Sequence, residues 1–299
     1  MTEKTPTDIQ KQTQKEENLP KNFSYIILFF FAFFFFLITT FPYDLLIEGF
    51  LQNYEKKLPE KIKPLLYESL NFDFPSSVIL KKVKLGQTSL GSSMLEVDSI
   101  NLKVGLLPAT KGKILVKYKA DIYSGKIQGF YSGTPQKGTL KLNAKGLKIE
   151  DITSIKQILK LDVSGKLDAD INFSTSSLVN ETKGKISLII HEGKAKSVNL
   201  KVITTDFTFS EIQGELTLGE GIFSIDKFIL VGEPSNIELN GRIMLNANDL
   251  KMSVLDISLF FTPSEEFEKN APFSLLEKTA EGKYKAKLTG TLYQPVLTR

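Results

Sequence analysis

One uncharged segment constrains this chain more than any other feature. Residues 23–41 read FSYIILFFFAFFFFLITTF and contain no acidic or basic side chain. Because an α-helix rises about 1.5 Å per residue, a helix of this length nearly matches the hydrocarbon core of a bilayer, which is about 30 Å thick. The segment therefore predicts one transmembrane helix over residues 23–41. Its predicted membrane anchor comprises Phe23, Ile26, Phe29, Phe33, Phe36 and Phe41.

Two other interpretations of this segment are weaker. A helix buried in a soluble core rarely runs so far without a charged residue. A cleaved signal peptide would have a shorter apolar run and a cleavage site of small residues, whereas this segment ends in Thr39, Thr40 and Phe41 before Pro42. We therefore expect the helix to stay in the mature protein.

The lysines that flank the segment do not decide its orientation. Four precede it and four follow it closely, and only an unequal number would identify the cytoplasmic side. A short polar tail before one span and a large domain after it is the usual layout of a protein with an exported domain. We therefore expect residues 1–22, which contain few apolar side chains, to form a disordered cytoplasmic tail.

Residues 42–75 show the apolar spacing of amphipathic helices. From Tyr43 to Leu70 the apolar residues recur mostly three or four positions apart. Pro59 and Pro64 would interrupt a continuous helix, because proline lacks the backbone N–H that a helix interior needs. We predict an amphipathic helical connector of one or two helices, which either packs beneath the next domain or lies on the membrane surface.

From residue 76 onward the pattern changes to short runs in which apolar and polar side chains alternate. Residues 138–144, 165–173 and 214–218 each show this period of two, which indicates half-buried strands. Glycine-containing turns separate such runs, and no change of composition divides them. We therefore predict one β-rich domain over residues 76–299, built as an elongated, mostly antiparallel sheet.

Two short helices are expected within this domain. Residues 151–159 place three isoleucines and a leucine on one stripe. Residues 262–265 (Thr-Pro-Ser-Glu) form a capping box, which predicts a second helix with proline at its first position, running roughly to Ala280 with a break near Pro272. The predicted fold class is mainly β, with a few short helices after one transmembrane span.

The residue inventory excludes several kinds of catalytic chemistry. The chain has no cysteine, and His191 is its single histidine, so thiol catalysis, cysteine-ligated metals and sites with several histidines are ruled out. No Gly-x-Ser-x-Gly motif supplies a serine nucleophile. Asp168 and Asp170 share one face of a predicted strand, opposite Leu167, and are expected to face solvent. We predict no catalytic, cofactor-binding or metal-binding residue and no enzymatic activity.

Charge excludes one further class of partner. Lys and Arg total 38 against 34 Asp and Glu, a formal net charge of +4, and the two arginines are Arg242 and Arg299. Nucleic-acid surfaces are strongly basic and use arginine to grip phosphates and base edges. We therefore expect no nucleic-acid partner.

Two segments, one after the span and one near the C-terminus, resemble a known family. The first is residues 41–44 (Phe-Pro-Tyr-Asp), and the second is residues 282–292 (GKYKAKLTGTL) followed by a proline. In this order they resemble the GspN family of type II secretion systems, in the form found in leptospires and deltaproteobacteria. The residues that carry the resemblance are Phe41, Pro42, Tyr43, Asp44, Gly282, Tyr284, Gly290, Thr291, Leu292 and Pro295.

The resemblance implies a single-pass accessory protein of the cell inner membrane with its C-terminal domain in the periplasm. Its implied partners are the membrane bilayer and other inner-membrane components of a type II secretion system, with no cofactor. The glycine-punctuated strands are also similar to those of AsmA-like envelope proteins, which have long curved sheets and are associated with lipid handling. That likeness implies a curved sheet, and it leaves lipid binding or lipid transfer, with phospholipid as the ligand, as the alternative function.

Overall fold

A single antiparallel sheet makes up most of the chain. The computed structural model describes residues 29, 32–33, 36, 43–57, 64–73, 75–87, 93–105, 108, 112–134, 136–152, 162–176, 179–199, 204–246, 249–270 and 276–298. All sixteen strands in these ranges belong to that sheet. In chain order they are β1 Leu65–Leu66, β2 Ser69–Asp73, β3 Ser77–Gln87, β4 Ser93–Val104, β5 Ile114–Ile122, β6 Gly125–Gly133, β7 Lys137–Lys148, β8 Asp162–Ser176, β9 Lys183–Asn199, β10 Thr204–Gly219, β11 Ile222–Glu233, β12 Ser235–Met244, β13 Val254–Pro263, β14 Glu277–Lys278, β15 Tyr284–Thr291 and β16 Pro295–Thr298.

Helices are few and short. The α-helices described are α1 (Tyr43–Lys57) and α2 (Glu265–Asn270). Single-turn 3₁₀ helices occupy Ile149–Asp151, Val179–Glu181 and Leu250–Met252. Residues 48–299, which include the whole sheet, form one compact unit, and residues 1–47 form another.

Strands that are neighbours in the sequence are also neighbours in the sheet. From β3 to β13 every strand pairs antiparallel with the next one along the chain, and β13 then pairs with β15. β1 and β2 both pair with β3, and β14 and β16 both pair with β15. Antiparallel neighbours need only short hairpin connections, so this order follows from the closely spaced turns in the sequence. The prediction of a mainly β, mostly antiparallel, curved sheet is confirmed.

The strict alternation of side chains gives the sheet one apolar face and one polar face. Residues directly opposite one another on adjacent strands form rows that cross the sheet. One apolar row crosses twelve strands and consists of Leu102, Tyr118, Gly129, Leu142, Ile171, Ile186, Leu216, Ile225, Gly241, Ile257, Leu288 and Leu297. Every residue of this row except its glycines carries an apolar or aromatic side chain, so the apolar face is continuous across these strands.

Buried residues on the apolar face form three clusters. Cluster 1 extends over β3, β4, β5 and β7, includes Leu80, and is packed by Leu51 of α1. Cluster 2 centres on Ile257 and contains only strand residues, from β10 to β15. Cluster 3 contains Phe261 and is packed by Phe267 of α2. Among the described residues, the two α-helices therefore add side chains to the two outer clusters, and cluster 2 consists of strand residues.

The predicted helical connector is wrong in its second half. The helix α1 ends at Lys57, before the first of the two prolines, but residues 65–73 form β1 and β2. The apolar residues of β2 are two positions apart: Leu70 lies opposite Leu80, and Phe72 lies opposite Val78. Pairing with β3 satisfies the backbone hydrogen bonds of this segment and covers the edge of β3, which a helix would leave unpaired.

The predicted second helix is shorter than expected. The helix α2 ends at Asn270, and Glu277–Lys278 is strand β14, so a helix to residue 280 is wrong. Pro263 is the last residue of β13 and not the first helical residue, because it lies opposite Ser235 in the sheet. The predicted helix over residues 151–159 falls mostly outside the described residues.

The predicted transmembrane segment also falls largely outside the described residues. Of residues 23–41 four are described, and all four are helical and exposed. Among the residues that the structure describes, no helix combines the length and the apolar character needed to cross a membrane. The predicted tail over residues 1–22 lies wholly outside the description.

The two faces of β8 differ in what they contribute to stability. Leu167 packs on cluster 1, whereas Asp170 is exposed and accepts a hydrogen bond from Asn143 Nδ2 at 2.7 Å. We expect Leu167→Asp to lower the free energy of unfolding by about 2 kcal/mol or more, because it removes apolar packing and places a carboxylate in the core. We expect Asp170→Asn to change it by about 0.5 kcal/mol or less. Urea unfolding of the full chain in detergent, followed by circular dichroism, measures both; equal losses would contradict this assignment of faces.

Candidate functional site

A strip of the apolar face between the clusters is half-buried. It comprises five residues of β8 and β9, called here the apolar strip: Ile171, Phe173, Ile186, Leu188 and Ile190. None of the five belongs to clusters 1 to 3. The helical side chains that pack on those clusters, Leu51 and Phe267, are assigned to the two outer ones. The apolar strip is therefore a surface where the sheet retains accessible hydrocarbon area.

Aromatic rings partly cover this face by lying over glycines of the neighbouring strand. Phe173 of β8 lies opposite Gly184 of β9, where an added Cβ atom would be 1.8 Å from Phe173 Cδ1. The Phe173 ring also meets the Phe223 ring of β11 edge to face, with 6.5 Å between the ring centroids. In cluster 1's half of the sheet, Tyr118 lies over Gly129 and donates a hydrogen bond to the carbonyl oxygen of Lys141 at 2.8 Å. Because glycine has no side chain, it leaves room for the ring of the opposite residue to lie over the strand. The ring then shields the backbone of that strand from water.

Cross-strand ion pairs occupy much of the polar face. They are Lys82–Asp98 (3.4 Å), Lys84–Glu96 (3.5 Å), Lys185–Glu215 (2.8 Å), Arg242–Asp256 (3.3 Å) and Lys287–Asp256 (3.1 Å). The hydrogen bond from Lys287, together with the charges of Lys287 and Arg242, holds the pKa of the Asp256 carboxyl below its ordinary value. Because water screens such exposed pairs, each contributes little to stability. Their position identifies this face as the one in contact with water.

A groove of about 880 Å³ runs across the polar face. It is lined by residues of β2 to β9 and contains five lysines and two aspartates, a formal charge of 5 − 2 = +3. Its lysines, called here the groove lysines, are Lys103, Lys117, Lys119, Lys141 and Lys185. The groove therefore carries an excess of positive charge.

The structure brings His191 and Asp168 near each other without a hydrogen bond between them. His191 Nε2 is 3.8 Å from Asp168 Oδ2, and His191 Nδ1 is 4.0 Å from Glu211 Oε2, both too long for hydrogen bonds. Asp168 Oδ1 instead accepts a hydrogen bond at 2.7 Å from the backbone N–H of Gly146, which lies at the bulge between β7 and β8. Asp168 therefore has a structural partner that the sequence did not reveal, whereas Asp170 is exposed as predicted. Among the described residues, no three His, Asp or Glu side chains are placed to hold a metal ion.

The C-terminal residues that carry the family resemblance build a hairpin at one edge of the sheet. Gly290, with φ of +88°, pairs with Pro295, and the turn between them begins at Thr291, whose Oγ1 accepts a hydrogen bond from the Gln294 N–H at 3.1 Å. Leu292 donates its backbone N–H to the Ser253 carbonyl at 3.0 Å, and its side chain is 42% exposed. This half of the motif therefore encodes a turn that joins β15 to β16.

Tyr284, also in the motif, connects α2 to the sheet. Its hydroxyl donates a hydrogen bond to Glu268 of α2, and Lys278 Nζ lies 3.0 Å from Glu268 Oε1 and 4.9 Å from the Tyr284 ring centroid. The hydrogen bonds from Tyr284 and Lys278 lower the pKa of Glu268, and the bond to Glu268 raises the pKa of Tyr284. The ionised carboxylate is therefore the form that holds α2, and this contact weakens as pH falls through the lowered pKa of Glu268. Gly282 lies in the preceding turn with φ of +81°.

The N-terminal half of the motif is only partly described. Tyr43 and Asp44 are the first two residues of α1, and Phe41 and Pro42 lie outside the described residues. Of the predicted membrane anchor, Phe29, Phe33 and Phe36 are described, and each is between 47% and 65% exposed. Phe29 and Phe33 stack with 6.2 Å between ring centroids. Phe23 and Ile26, like Phe41, lie outside the description.

Comparison with known proteins identifies no relative. No protein-family model, no curated protein and no solved structure matches the chain.

Gly282 and Gly290 both have a left-handed backbone conformation, but the space around them differs. A Cβ atom at Gly290 would lie 2.6 Å from the Gln294 carbonyl oxygen, whereas a Cβ atom at Gly282 would meet nothing within 4 Å. We expect Gly282→Ala to cost about 1 kcal/mol from backbone strain alone. Gly290→Ala should cost about 3 kcal/mol, because the clash with backbone adds to that strain. Thermal unfolding of the two variants compares them directly, and a smaller loss for Gly290→Ala would show that the turn adopts another geometry.

Proposed function

We propose that this chain is a non-enzymatic accessory component of a type II secretion system, held in the inner membrane with its β domain in the periplasm. In this role the sheet is an interaction surface that takes part in assembly and carries out no chemistry of its own. The anchor is the apolar segment over residues 23–41, and the partners are other inner-membrane components of the same machinery.

The family resemblance is the observation that carries this proposal. The motif residues occur in the expected order at the two ends of the exported part, and the C-terminal ones coincide with a defined turn between β15 and β16. A short motif alone is weak evidence. The proposal gains support from a residue inventory without cysteine and with a single histidine, which leaves few routes to catalysis.

Deleting the gene from its host tests the secretion role. We expect the secreted substrates of the type II system to fall several-fold in the medium and to accumulate in the periplasm, and the full chain supplied in trans should restore export. A variant lacking residues 1–41 but given a cleaved signal peptide should not restore export, because it would lack the anchor. Undiminished secretion in the deletion strain would refute the proposal.

A second function is favoured by the apolar strip. We propose that the acyl chain of a phospholipid lies along Ile171, Phe173, Ile186 and Leu188. These side chains are half-buried and lie outside the three core clusters. Covering each such side chain with hydrocarbon removes apolar area from water, which is favourable by roughly 25 cal/mol per Å². A lipid-binding sheet would also be compatible with the AsmA-like resemblance.

Two isoleucines on opposite faces of the sheet provide a matched test of lipid binding. Ile171 belongs to the apolar strip, and Ile189 lies on the polar face, where it is 37% exposed. We expect the purified full chain to carry phospholipid that survives detergent exchange, and Ile171→Asn to lower the bound amount at least several-fold. Ile189→Asn should leave it unchanged, because that side chain does not face the strip. Lipid extraction and mass spectrometry measure the amount; equal lipid in the two variants, with circular dichroism showing both folded, would refute binding at this strip.

A further inference from the structure

Four of the five groove lysines lie in one cross-strand row on the polar face. Lys103 of β4 lies directly opposite Lys117 of β5, which lies opposite Phe130 of β6, which in turn lies opposite Lys141 of β7. Lys141 lies opposite Asn172 of β8, which lies opposite Lys185 of β9. Because adjacent strands are about 4.8 Å apart, the row presents cations at intervals of about 5 to 10 Å along a line perpendicular to the strands.

Most of the five groove lysines lie in the groove without a salt bridge to a carboxylate. Lys185 pairs with Glu215 at 2.8 Å. Within the part of the chain that the structure describes, the other four groove lysines form no salt bridge, although lysines of neighbouring strands do. All four are exposed, and Lys103 and Lys117 are like charges directly opposite each other, an arrangement that costs stability in a sheet. An anionic ligand in the groove would remove that cost.

A second row, parallel to the first, contains four neutral hydrogen-bonding side chains and two charged ones, Lys119 and Asp170. It consists of Asn101, Lys119, Gln128, Asn143, Asp170 and Ser187. Amide side chains offer both donors and acceptors. Lys119, second in the row, adds a cation, and Asp170 adds a carboxylate that accepts a hydrogen bond from Asn143 Nδ2. Phe130 in the first row is an aromatic ring among polar side chains, with Lys141 Nζ 5.9 Å from its centroid. The groove thus combines spaced cations in excess over two aspartates, amides and one ring.

We propose that this groove binds a linear acidic glycan, a polysaccharide segment that carries carboxylate groups, laid across β4 to β9. The carboxylates pair with Lys103, Lys117, Lys119 and Lys141, the sugar hydroxyls hydrogen-bond with the amides of the second row, and one sugar ring stacks on Phe130. Lys117 and Lys141 are two strands apart, a distance of about 10 Å. This distance suits carboxylates on neighbouring or next-but-one sugar units. Binding at this face is independent of the secretion role and of lipid at the opposite face.

An acidic peptide fits the same groove less well. Extended peptides bind sheets chiefly through main-chain hydrogen bonds to an unpaired edge, whereas β4 to β9 are each paired on both sides. The face therefore offers a peptide only side-chain contacts. Sugar hydroxyls need no backbone partner, and both their donor and acceptor functions are met by amides.

Binding of an oligogalacturonate to the full chain in mild detergent tests the proposal. We expect saturable binding that weakens with added salt, and no binding of a neutral maltooligosaccharide of equal length. The double variant Lys117→Gln/Lys141→Gln should raise Kd about tenfold or more, because it removes two exposed charge contacts. The matched control is Lys166→Gln/Lys194→Gln, which removes two exposed lysines of β8 and β9 outside the groove and should change Kd by less than about twofold.

The aromatic ring separates a glycan from a peptide. Phe130→Leu keeps an apolar side chain but removes the stacking surface, so it should weaken oligogalacturonate binding about threefold or more. An oligoglutamate with the same number of charges should bind more weakly than oligogalacturonate and be insensitive to Phe130→Leu. Tighter oligoglutamate binding would overturn the glycan assignment in favour of an acidic protein segment. No oligogalacturonate binding, or equal loss in the two double variants, would overturn the site itself.

Discussion

A sheet without a second sheet packed on it must protect its apolar face with its own side chains. All sixteen described strands belong to one sheet, and among the described residues Leu51 and Phe267 are the helical side chains that pack on its clusters. Rings that lie down over cross-strand glycines, such as Phe173 over Gly184, supply the missing cover. This explains why glycine recurs inside strands, where it would otherwise weaken the sheet by lacking a side chain to pack. The apolar strip remains half-buried because this form of cover is incomplete.

The two edges of the sheet need protection as well as its apolar face. Unpaired edge strands expose backbone N–H and C=O groups that recruit other strands. Here the outermost strands are short, with two residues in β1, five in β2, two in β14 and four in β16, and the last begins at Pro295. Short strands and a proline both limit the pairing of further strands with these edges. The motif hairpin at Gly290 therefore contributes to ending the sheet, which gives its residues a structural purpose beside any contact with a partner.

The sequence predicted the fold where local periodicity and packing agree. Alternation in residues 165–173 correctly placed Leu167 inward and Asp170 outward, because a half-buried strand leaves a clear period of two. The sequence pattern failed for residues 65–73, where the spacing of the apolar residues is compatible with both a helix and a strand. Pairing with β3 determines that this segment is a strand. The sequence pattern also missed the bond from Gly146 to Asp168 and the groove lysines, since both depend on which residues of different strands lie side by side. Register between strands is a tertiary property that a single sequence pattern does not specify.

Alternation along the strands also explains how one sheet provides two chemically different surfaces. Ile186 and Ser187 are adjacent in β9, yet the first belongs to the apolar strip and the second to the second row of the groove. Because a slip of one residue would exchange these faces, the register that buries the apolar rows also lines up the groove lysines. The repulsion between Lys103 and Lys117 is then tolerated, since moving either strand to relieve it would expose a continuous apolar row to water. Burial on one face thus fixes the charge pattern on the other.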